Sequence, residues 1–400
     1  MRLCVCTLLW LVLDLQLLAS SAPLPPDACK LPFASSRSDV GLGFPRIPNR
    51  LKTLGGVNFS LVFLDFSDAP YDKSPEEFVA FLSPALELYR SLSYGRMQPI
   101  FSPLLTTLRM GKPSTAYSFS TFEAQRAYLQ EAAGLAVGAG ADFSLADAIL
   151  AIATPKALGF GPAFCATPGW GFNVSGKSFD NAATSGRDLL GWGSKWFNHE
   201  VGHAMSLVDL YSFVGGPQFQ YTGSWSLMGD IAGAGCEYFA WERFQLGWLE
   251  DAHVACAASG TSTLSLSALE APPGGAQDTK LLLARTGRTT AIAVEVREAL
   301  GYDTSIPQPG LLMYYLDTSL ETGDGPLRVL PWDSKDNVKL HATLATPGAS
   351  IAQEGVNVTL LTPPATQGAP WVLSVTVPCS TWTCPGGTCS QGVCTPGTGN

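Results

Sequence analysis

Two histidines and a glutamate stand at a spacing suited to zinc chemistry. Residues 196–203 read WFNHEVGH and contain the pattern His-Glu-x-x-His. On a helix, His199 and His203 lie one turn apart on one face, about 6 Å between Cβ atoms, so both imidazoles can reach one ion. Glu200 lies ~100° around the helix, where it can reach a metal-bound water without being a ligand. The chain has only four histidines, which makes a chance match improbable.

A catalytic zinc site has three protein ligands, one more than this pair of histidines supplies. Asp209 follows His203 by six residues and can reach the metal if the helix ends near Ser206 and the chain turns back. The alternative is Glu237, projecting from the next predicted helix as in zinc enzymes with a distant glutamate ligand. The spacing favours Asp209 as the third ligand and keeps Glu237 as the alternative.

Such a site has the parts needed to hydrolyse a peptide bond. Zinc lowers the pKa of its bound water toward ~7 and polarises a carbonyl group. Glu200 would accept the proton of that water and pass it to the leaving amine. Tyr211 or Tyr221 could donate a hydrogen bond to the oxyanion, although packing is the simpler interpretation of each.

Three further patterns carry weaker hypotheses. Residues 171–178 match GxxxxGK[ST], but no convincing strand precedes them and no helical pattern follows, so a glycine-rich loop is favoured over a phosphate site. Asp65, Asp68 and Asp72 could bind a structural calcium ion, although solvent-facing carboxylates at a strand end are the simpler interpretation. Cys29 could block the zinc as a thiolate, whereas a disulfide is favoured.

The composition indicates a folded, exported protein. Of the 400 residues, 14% are charged and 46% are hydrophobic, a balance that favours burial over disorder. A net charge of −9 repels phosphates and argues against nucleic-acid partners. Arg2, an apolar run over 3–18 and small residues at 19–21 predict a signal peptide at 1–21, and the run is too short for a membrane span. We therefore expect a secreted protein with no membrane span after signal removal.

Cysteines and sequons agree with export. An even number of cysteines beyond the signal peptide predicts disulfide bonds in an oxidising compartment. These are Cys29, Cys165, Cys236, Cys256, Cys379, Cys384, Cys389 and Cys394. Three sequons are predicted glycosylation acceptors, at Asn58, Asn173 and Asn357.

Hydrophobic patterning predicts mixed α and β structure in the first half of the chain. Ser74 with Pro75 and Glu77 indicates a helix start with a capping box. Around it we predict a strand at 57–66, a helix at 122–137 and a buried strand at 146–153. Residues 156–185 are predicted as a long loop, followed by helices at 188–207 and 237–246. Short apolar or alternating segments at 261–269, 279–286, 290–297 and 311–316 are typical of a β-sandwich.

The predicted fold is therefore mixed, with an α/β zinc protease domain followed by an all-β sandwich-like module. The predicted divisions are a signal peptide at 1–21, an irregular leader at 22–50, a catalytic domain at 51–250, a β-sandwich-like module at 251–378 and a Cys-rich tail at 379–400.

The zinc motif and its surroundings resemble a known family. Residues 199–209 fit the metzincin pattern HExxHxxGxxH/D, except that Ser206 stands where glycine is usual. The whole resembles the immune inhibitor A family of secreted metalloproteases, over roughly residues 55–320. The further matching segments are VFLDFSDAP at 62–70, SYG at 93–95, DLY at 209–211, SWSLM at 224–228, WERFQLGWL at 241–249, GYD at 301–303 and GLL at 310–312.

This resemblance implies that the α/β domain is a metzincin-like zinc endopeptidase. Its metal ligands would be His199, His203 and Asp209, and Glu200 would be the general base and acid. Met228 would be the Met-turn methionine beneath the metal, although a core methionine is the simpler interpretation. A glycine at position 206 would adopt a left-handed backbone conformation easily, whereas Ser206 costs about 1 kcal/mol there.

Two function classes follow from the sequence. The first is a secreted zinc-dependent endopeptidase that hydrolyses protein or peptide substrates outside the cell, with one catalytic zinc ion. The alternative is a non-catalytic extracellular binding or adhesion protein, in which the β module and tail act and the zinc site is inactive or structural. The intact Glu200 favours the enzyme, because a structural zinc site does not need that glutamate beside its ligand.

Overall fold

A computed structural model describes residues 23–157, 171–187, 189–331, 335–390 and 393–395. The predicted signal peptide and Cys165 lie outside the described residues. The chain combines a four-stranded parallel sheet and its helices with a five-stranded and a second four-stranded β-sheet that pack face to face. Within the described ranges, no helix is both long enough and apolar enough to cross a membrane.

The parallel sheet has the strand order β2-β1-β3-β6. Strands β1 and β3 are almost continuously buried, as their apolar sequences predict for a sheet covered on both faces. Helices pack against this sheet, and the predicted helix at 122–137 and strands at 57–66 and 146–153 are confirmed. The elements are β1 (Gly55–Asp65), α1 (Pro75–Leu82), α2 (Pro84–Leu92), β2 (Met97–Arg109), α3 (Phe122–Gly138), β3 (Ala148–Ala153), β4 (Phe172–Val174), β5 (Lys177–Phe179) and β6 (Ala182–Ser185).

The start of α1 shows the predicted capping box. The hydroxyl of Ser74 accepts a hydrogen bond from the backbone amide of Glu77 at 3.3 Å. The Glu77 carboxylate accepts one from the backbone amide of Ser74 at 2.8 Å. Pro75 occupies the first turn, where its missing amide costs no hydrogen bond.

The prediction of a loop over 156–185 is wrong for the described part of that segment. Strands β4 and β5 form a hairpin whose turn contains Ser175 and Gly176, both with positive φ. The buried side chains of Phe172, Val174 and Phe179 join the core beneath α3, which explains why this glycine-rich segment is ordered. The match to a phosphate-binding loop therefore falls on a hairpin, without the strand–loop–helix order that such a loop needs.

The helix predicted at 188–207 is two helices, α4 (Leu189–Trp192) and α5 (Lys195–Ala204). Gly193 separates them with a φ of +60°, a conformation that cannot continue a right-handed helix. The helix predicted at 237–246 is shorter, α6 (Ala240–Gln245), and Glu237 precedes it.

Two sheets of the β module form a sandwich, as predicted. One has the order β12-β11-β10-β9-β7 and the other β13-β14-β15-β8. Apolar side chains from both inner faces interdigitate, including Val294 and Met313 from the first sheet and Val358 and Leu373 from the second. The strands are β7 (Val254–Cys256), β8 (Gly260–Leu266), β9 (Leu281–Arg285), β10 (Thr290–Arg297), β11 (Gly310–Asp317), β12 (Leu327–Val329), β13 (Ser350–Gln353), β14 (Val356–Thr362) and β15 (Trp371–Val377).

The outer face of the five-stranded sheet shares a hydrophobic core with the helix that carries the zinc motif. Leu283 and Leu312 of this sheet belong to the same hydrophobic cluster as Trp196 and Val201 of α5. The boundary predicted at residue 250 stays a prediction, and the core on its two sides is continuous.

One disulfide ties the leader to the β module, and two more lie within the tail. Cys29 of the leader bonds to Cys256 of β7, so its sulfur is not placed as a zinc ligand. In the tail, Cys389 of β16 (Thr388–Ser390) bonds to Cys379, and Cys394 of β17 (Val393–Thr395) bonds to Cys384. Among the described residues, Cys236 is the one cysteine outside a disulfide.

The three sequons lie in different surroundings. Asn58 lies in β1, inside the parallel sheet, and its side-chain oxygen is buried. Asn173 is exposed on β4, and Asn357 is half-buried on β14. Glycosylation stays a prediction, and Asn173 offers the most accessible acceptor of the three.

Candidate metal centre

The predicted histidine pair lies on one buried face of α5. The rings of His199 and His203 have centroids 5.0 Å apart and are nearly perpendicular. Both side chains are less than a tenth exposed. The one-turn spacing of the motif therefore brings both rings to a common point, as predicted.

A backbone carbonyl orients each ring. Nδ1 of His199 lies 2.7 Å from the carbonyl oxygen of Leu227, and Nδ1 of His203 lies 2.9 Å from that of Leu207. A carbonyl oxygen can only accept a hydrogen bond, so each Nδ1 carries a proton. In the neutral imidazole, Nε2 then presents its lone pair, the arrangement found in histidines that bind metals.

Asp209 completes the group of ligand atoms. One carboxylate oxygen, Oδ1, lies 3.2 Å from Nε2 of His199 and 3.3 Å from Nε2 of His203. The three side chains offer atoms that all lie within 4.8 Å of one another. The structure thus brings together the three predicted ligands.

The electrostatics of this group favour a cation. Burial lowers the pKa of His203, but the Asp209 carboxylate outweighs it and raises that pKa to about 9. Burial raises the pKa of Asp209, and the two histidines reverse this and hold it well below its usual range. Two imidazole nitrogens and one carboxylate oxygen are a donor set found in zinc enzymes. The residues present therefore fit a zinc ion.

Glu200 lies beside the group on the same helix and is buried. Its charge contributes to raising the pKa of His203, which places it in the same electrostatic environment as the ligands. Its role as the proton acceptor stays a prediction.

Met228 packs beneath the zinc motif. A Cβ atom at Gly202 of α5 would lie 2.6 Å from the Met228 sulfur and 3.0 Å from the Tyr238 hydroxyl oxygen. The Met228 carbonyl oxygen accepts a hydrogen bond of 2.8 Å from the amide of Leu210, the residue after the carboxylate ligand. Met228 thus packs against α5 and pairs with the segment after Asp209, and its role as a Met-turn methionine stays a prediction.

The alternative ligand Glu237 lies elsewhere. Its carboxylate forms an ion pair with Arg243 and accepts a hydrogen bond of 2.7 Å from the amide of Tyr302. Within the described residues, Glu237 does not belong to the group of ligand atoms that His199, His203 and Asp209 form. Its position before α6 turns it toward a buried arginine, and the structure therefore brings Asp209, not Glu237, to the histidines.

The aspartates considered for calcium do not converge. Asp65 pairs with Arg109, Asp68 accepts hydrogen bonds from Ser114, and Asp72 pairs with Lys156. Separate partners hold these three carboxylates, and no metal group in the described ranges contains them.

The two tyrosines considered as oxyanion donors differ in position. Tyr211 stacks on His199 with ring centroids 6.2 Å apart. Tyr221 packs against Arg328, 5.4 Å from its guanidinium carbon, and its backbone carbonyl accepts from Val329. Of the two, Tyr211 is the one in contact with a predicted ligand.

Ser206 has the backbone conformation expected for the usual glycine. Its φ is +92°, and the chain turns there from α5 toward Asp209. We expect Ser206→Gly to raise the free energy of unfolding by about 1 kcal/mol, because glycine adopts this conformation without steric cost. Denaturant titration measures the effect, and a variant less stable than the wild type would contradict it. A matched change at Ser83, where φ is −54°, should destabilise the protein.

Glu242 supports the segment beneath the metal centre and should make stability depend on pH. Its carboxylate accepts hydrogen bonds of 2.8 Å from the Ser226 hydroxyl and the Phe239 amide. Burial raises the pKa of Glu242 to about 7, and Glu295 adds to the rise while Arg297 opposes it. The folded state keeps this proton up to about pH 7, whereas the unfolded chain releases it near 4.5. Stability therefore falls as the pH rises between these values.

We expect Glu242→Gln to remove this part of the pH dependence, worth about 3 kcal/mol between pH 4.5 and 7. Denaturant unfolding of wild type and variant at several pH values provides the measurement, since the difference between them isolates this residue. Parallel pH profiles for the two proteins would show that burial does not raise the pKa of Glu242 in the folded state.

Sequence reasoning missed the groups that orient the ligands. The backbone carbonyl groups of Leu207 and Leu227 could not be identified from the sequence, because every residue type has such a group and its contact depends only on the path of the backbone. Thr322, which contacts Asp209 from the β module, is 113 residues away in sequence. No local pattern marks such a residue.

Comparisons with solved structures give weak likenesses. No protein-family model and no curated protein sequence matches the chain. The chain is similar to the solved structure of wild-type OgpA from Akkermansia muciniphila, with 11% identity over 76% of this chain and 96% of that one and a TM-score of 0.28. It is also similar to catalytically inactive OgpA from Akkermansia muciniphila in complex with an O-glycopeptide substrate, glycodrosocin. The identity is 11% over 88% of this chain and 96% of that one, and the TM-score is 0.27.

At these scores the likeness carries no argument about this chain. The resemblance to immune inhibitor A and the metzincin-like architecture therefore rest on the sequence motifs. The description of the site rests on its geometry.

Proposed function

We propose that this protein is a zinc-dependent endopeptidase that hydrolyses peptide bonds of protein substrates. The observation that carries the proposal is the convergence of His199, His203 and Asp209 on one point beside the buried Glu200. Three protein ligands leave a position open for reaction, whereas structural zinc sites are closed by a fourth.

The residues of the chain have separate tasks in this reaction. His199, His203 and Asp209 would hold the ion, which when bound polarises the scissile carbonyl and acidifies water. Glu200 accepts the proton of the attacking water at its carboxylate and returns it to the nitrogen of the leaving amine. The carbonyls behind the two histidines hold the rings in the tautomer and orientation that the ion requires.

The motifs extend the proposal to a family and a place of action. The pattern at 199–209 and the flanking segments support a metzincin-type enzyme that is similar to immune inhibitor A. The predicted signal peptide, the sequons and the disulfides support secretion, and the paired cysteines at positions 29 and 256 suit an oxidising compartment. Protein or peptide substrates outside the cell are the partners that this setting supplies.

The test is the zinc content of the purified full-length secreted protein together with its cleavage of unfolded casein. The proposal expects one zinc per chain and casein fragments that increase with time. Zinc at one per chain without cleavage would contradict the proposal and favour the non-catalytic binding protein. A protein that takes up no zinc would show that the ligand assignment is wrong.

A further inference from the structure

We propose that Thr322, which the β module supplies, is a positioning residue that orients Asp209 as a metal ligand. This inference rests on the proposed function, since it concerns the same centre. It assigns the β module a direct part in building the site.

The hydroxyl group of Thr322 contacts Asp209 twice. It donates a hydrogen bond of 3.1 Å to the carboxylate oxygen Oδ2 and accepts one of 2.8 Å from the backbone amide of the same aspartate. The other carboxylate oxygen, Oδ1, is the one that faces His199 and His203. One hydroxyl therefore fixes both the backbone of the ligand and the rotation of its carboxylate.

The neighbouring residue, Gly323, fixes the register of this contact. Its amide donates a hydrogen bond of 3.1 Å to the backbone carbonyl of Asp209, and its own carbonyl accepts one of 3.0 Å from the amide of Phe213. A Cβ atom at Gly323 would clash with the ring of Phe213, and its φ is +78°. Only glycine meets both conditions, so the loop is shaped to lie against the ligand segment.

The loop is held by the sandwich. It connects β11 to β12, and these strands pair through Leu316 and Leu327 on either side of it. Thr322 is buried, so its hydrogen bonds to the carboxylate lie in a medium of low dielectric, where they are stronger than in water. The alignment of two strands in the β module thereby determines where the third ligand points.

The expected consequence concerns metal affinity. Because Oδ2 of Asp209 is held by a hydrogen bond, the carboxylate needs no reorientation when Oδ1 binds an ion. Hydrogen bonds that orient a metal ligand in this way typically contribute ~10–100-fold to metal affinity. Without the Thr322 hydroxyl, the carboxylate of Asp209 would be free to rotate away from the histidines. The backbone amide of Asp209 would also lose its hydrogen-bond acceptor.

The experiment measures zinc dissociation constants of the full-length protein by competition with a chromophoric chelator. Thr322→Val should raise the dissociation constant ~10–100-fold, and Thr322→Ser should restore it to within about threefold of the wild type. Thr318→Val is the matched control, because Thr318 is buried on the same connection and donates its hydrogen bond of 2.7 Å to the carbonyl of Pro32 instead. The control should lose stability but keep zinc affinity.

A second readout separates orientation from stability. The visible absorption of the cobalt-substituted protein reports ligand geometry, and we expect it to change in Thr322→Val and not in Thr318→Val. If the valine variant does not fold, Thr322→Ala takes its place in both measurements.

Three results would overturn the inference. They are wild-type affinity in a folded Thr322→Val or Thr322→Ala variant, failure of Thr322→Ser to restore affinity, and an equal loss of affinity in Thr318→Val. Failure of the proposed function is distinguishable, because there the wild-type protein itself would bind no zinc or would bind it without cleaving casein.

Discussion

Replacement of Glu200 by glutamine is expected to lower kcat for casein cleavage by ~10²–10⁴, the contribution typical of a general acid and base. Glutamine keeps the size of the side chain but cannot accept the proton of the attacking water. KM should change little, because Glu200 is buried beside the ligands and the proposed mechanism gives it no role in substrate binding. The measurement is steady-state kinetics of the two purified proteins with the zinc content of each.

The zinc content decides how the loss is interpreted. We expect one zinc per chain in both proteins, since Glu200 lies outside the group of three ligands. Glu123→Gln is the matched control, because Glu123 is exposed on α3. We expect this variant to have wild-type kinetics. Undiminished cleavage by Glu200→Gln would remove this residue from the mechanism.

Removal of the Asp209 carboxylate has the second large effect. We expect Asp209→Ala to raise the zinc dissociation constant by more than ~100-fold. Loss of a group that only orients a ligand costs up to ~100-fold, and this variant loses the ligand itself. Two histidines would remain, and their Nε2 atoms would lose the anion that now lies 3.2 and 3.3 Å away. Chelator competition measures the constant, and casein cleavage should fall in parallel at limiting zinc.

The paired variant Glu237→Gln tests the alternative ligand. It removes the charge that pairs with buried Arg243, which we expect to cost about 3 kcal/mol of unfolding free energy. Its zinc affinity in the folded state should nevertheless match that of the wild type. The reverse outcome, with zinc lost in Glu237→Gln and kept in Asp209→Ala, would exchange the roles of the two residues.

Elements with a strong local pattern were predictable from the sequence. The capping residues before α1 specify its start, because their hydrogen bonds close within three positions. The histidine spacing specifies a shared face, because the helical repeat alone determines it. The left-handed conformation at Ser206 followed from the resemblance to a motif with glycine at that position.

Features that depend on distant parts of the chain were not predictable. The break between α4 and α5 depends on a single glycine, whose effect in a helical pattern is ambiguous. The hairpin of β4 and β5 is ordered because its aromatic side chains reach the core beneath α3, which no local window shows. Nothing in the sequence around Thr322 distinguishes it from other threonines, because its contact with Asp209 depends on the pairing of two strands of the sandwich.

The most direct test of the account is a zinc titration of catalytic activity. The purified protein is stripped of metal with a chelator, and the rate of casein cleavage is measured as zinc is returned in known ratios. We expect no cleavage without zinc, a rate of cleavage that rises linearly with added zinc, and a plateau at one zinc per chain. Full activity in the stripped protein, or no activity at one bound zinc per chain, would contradict it.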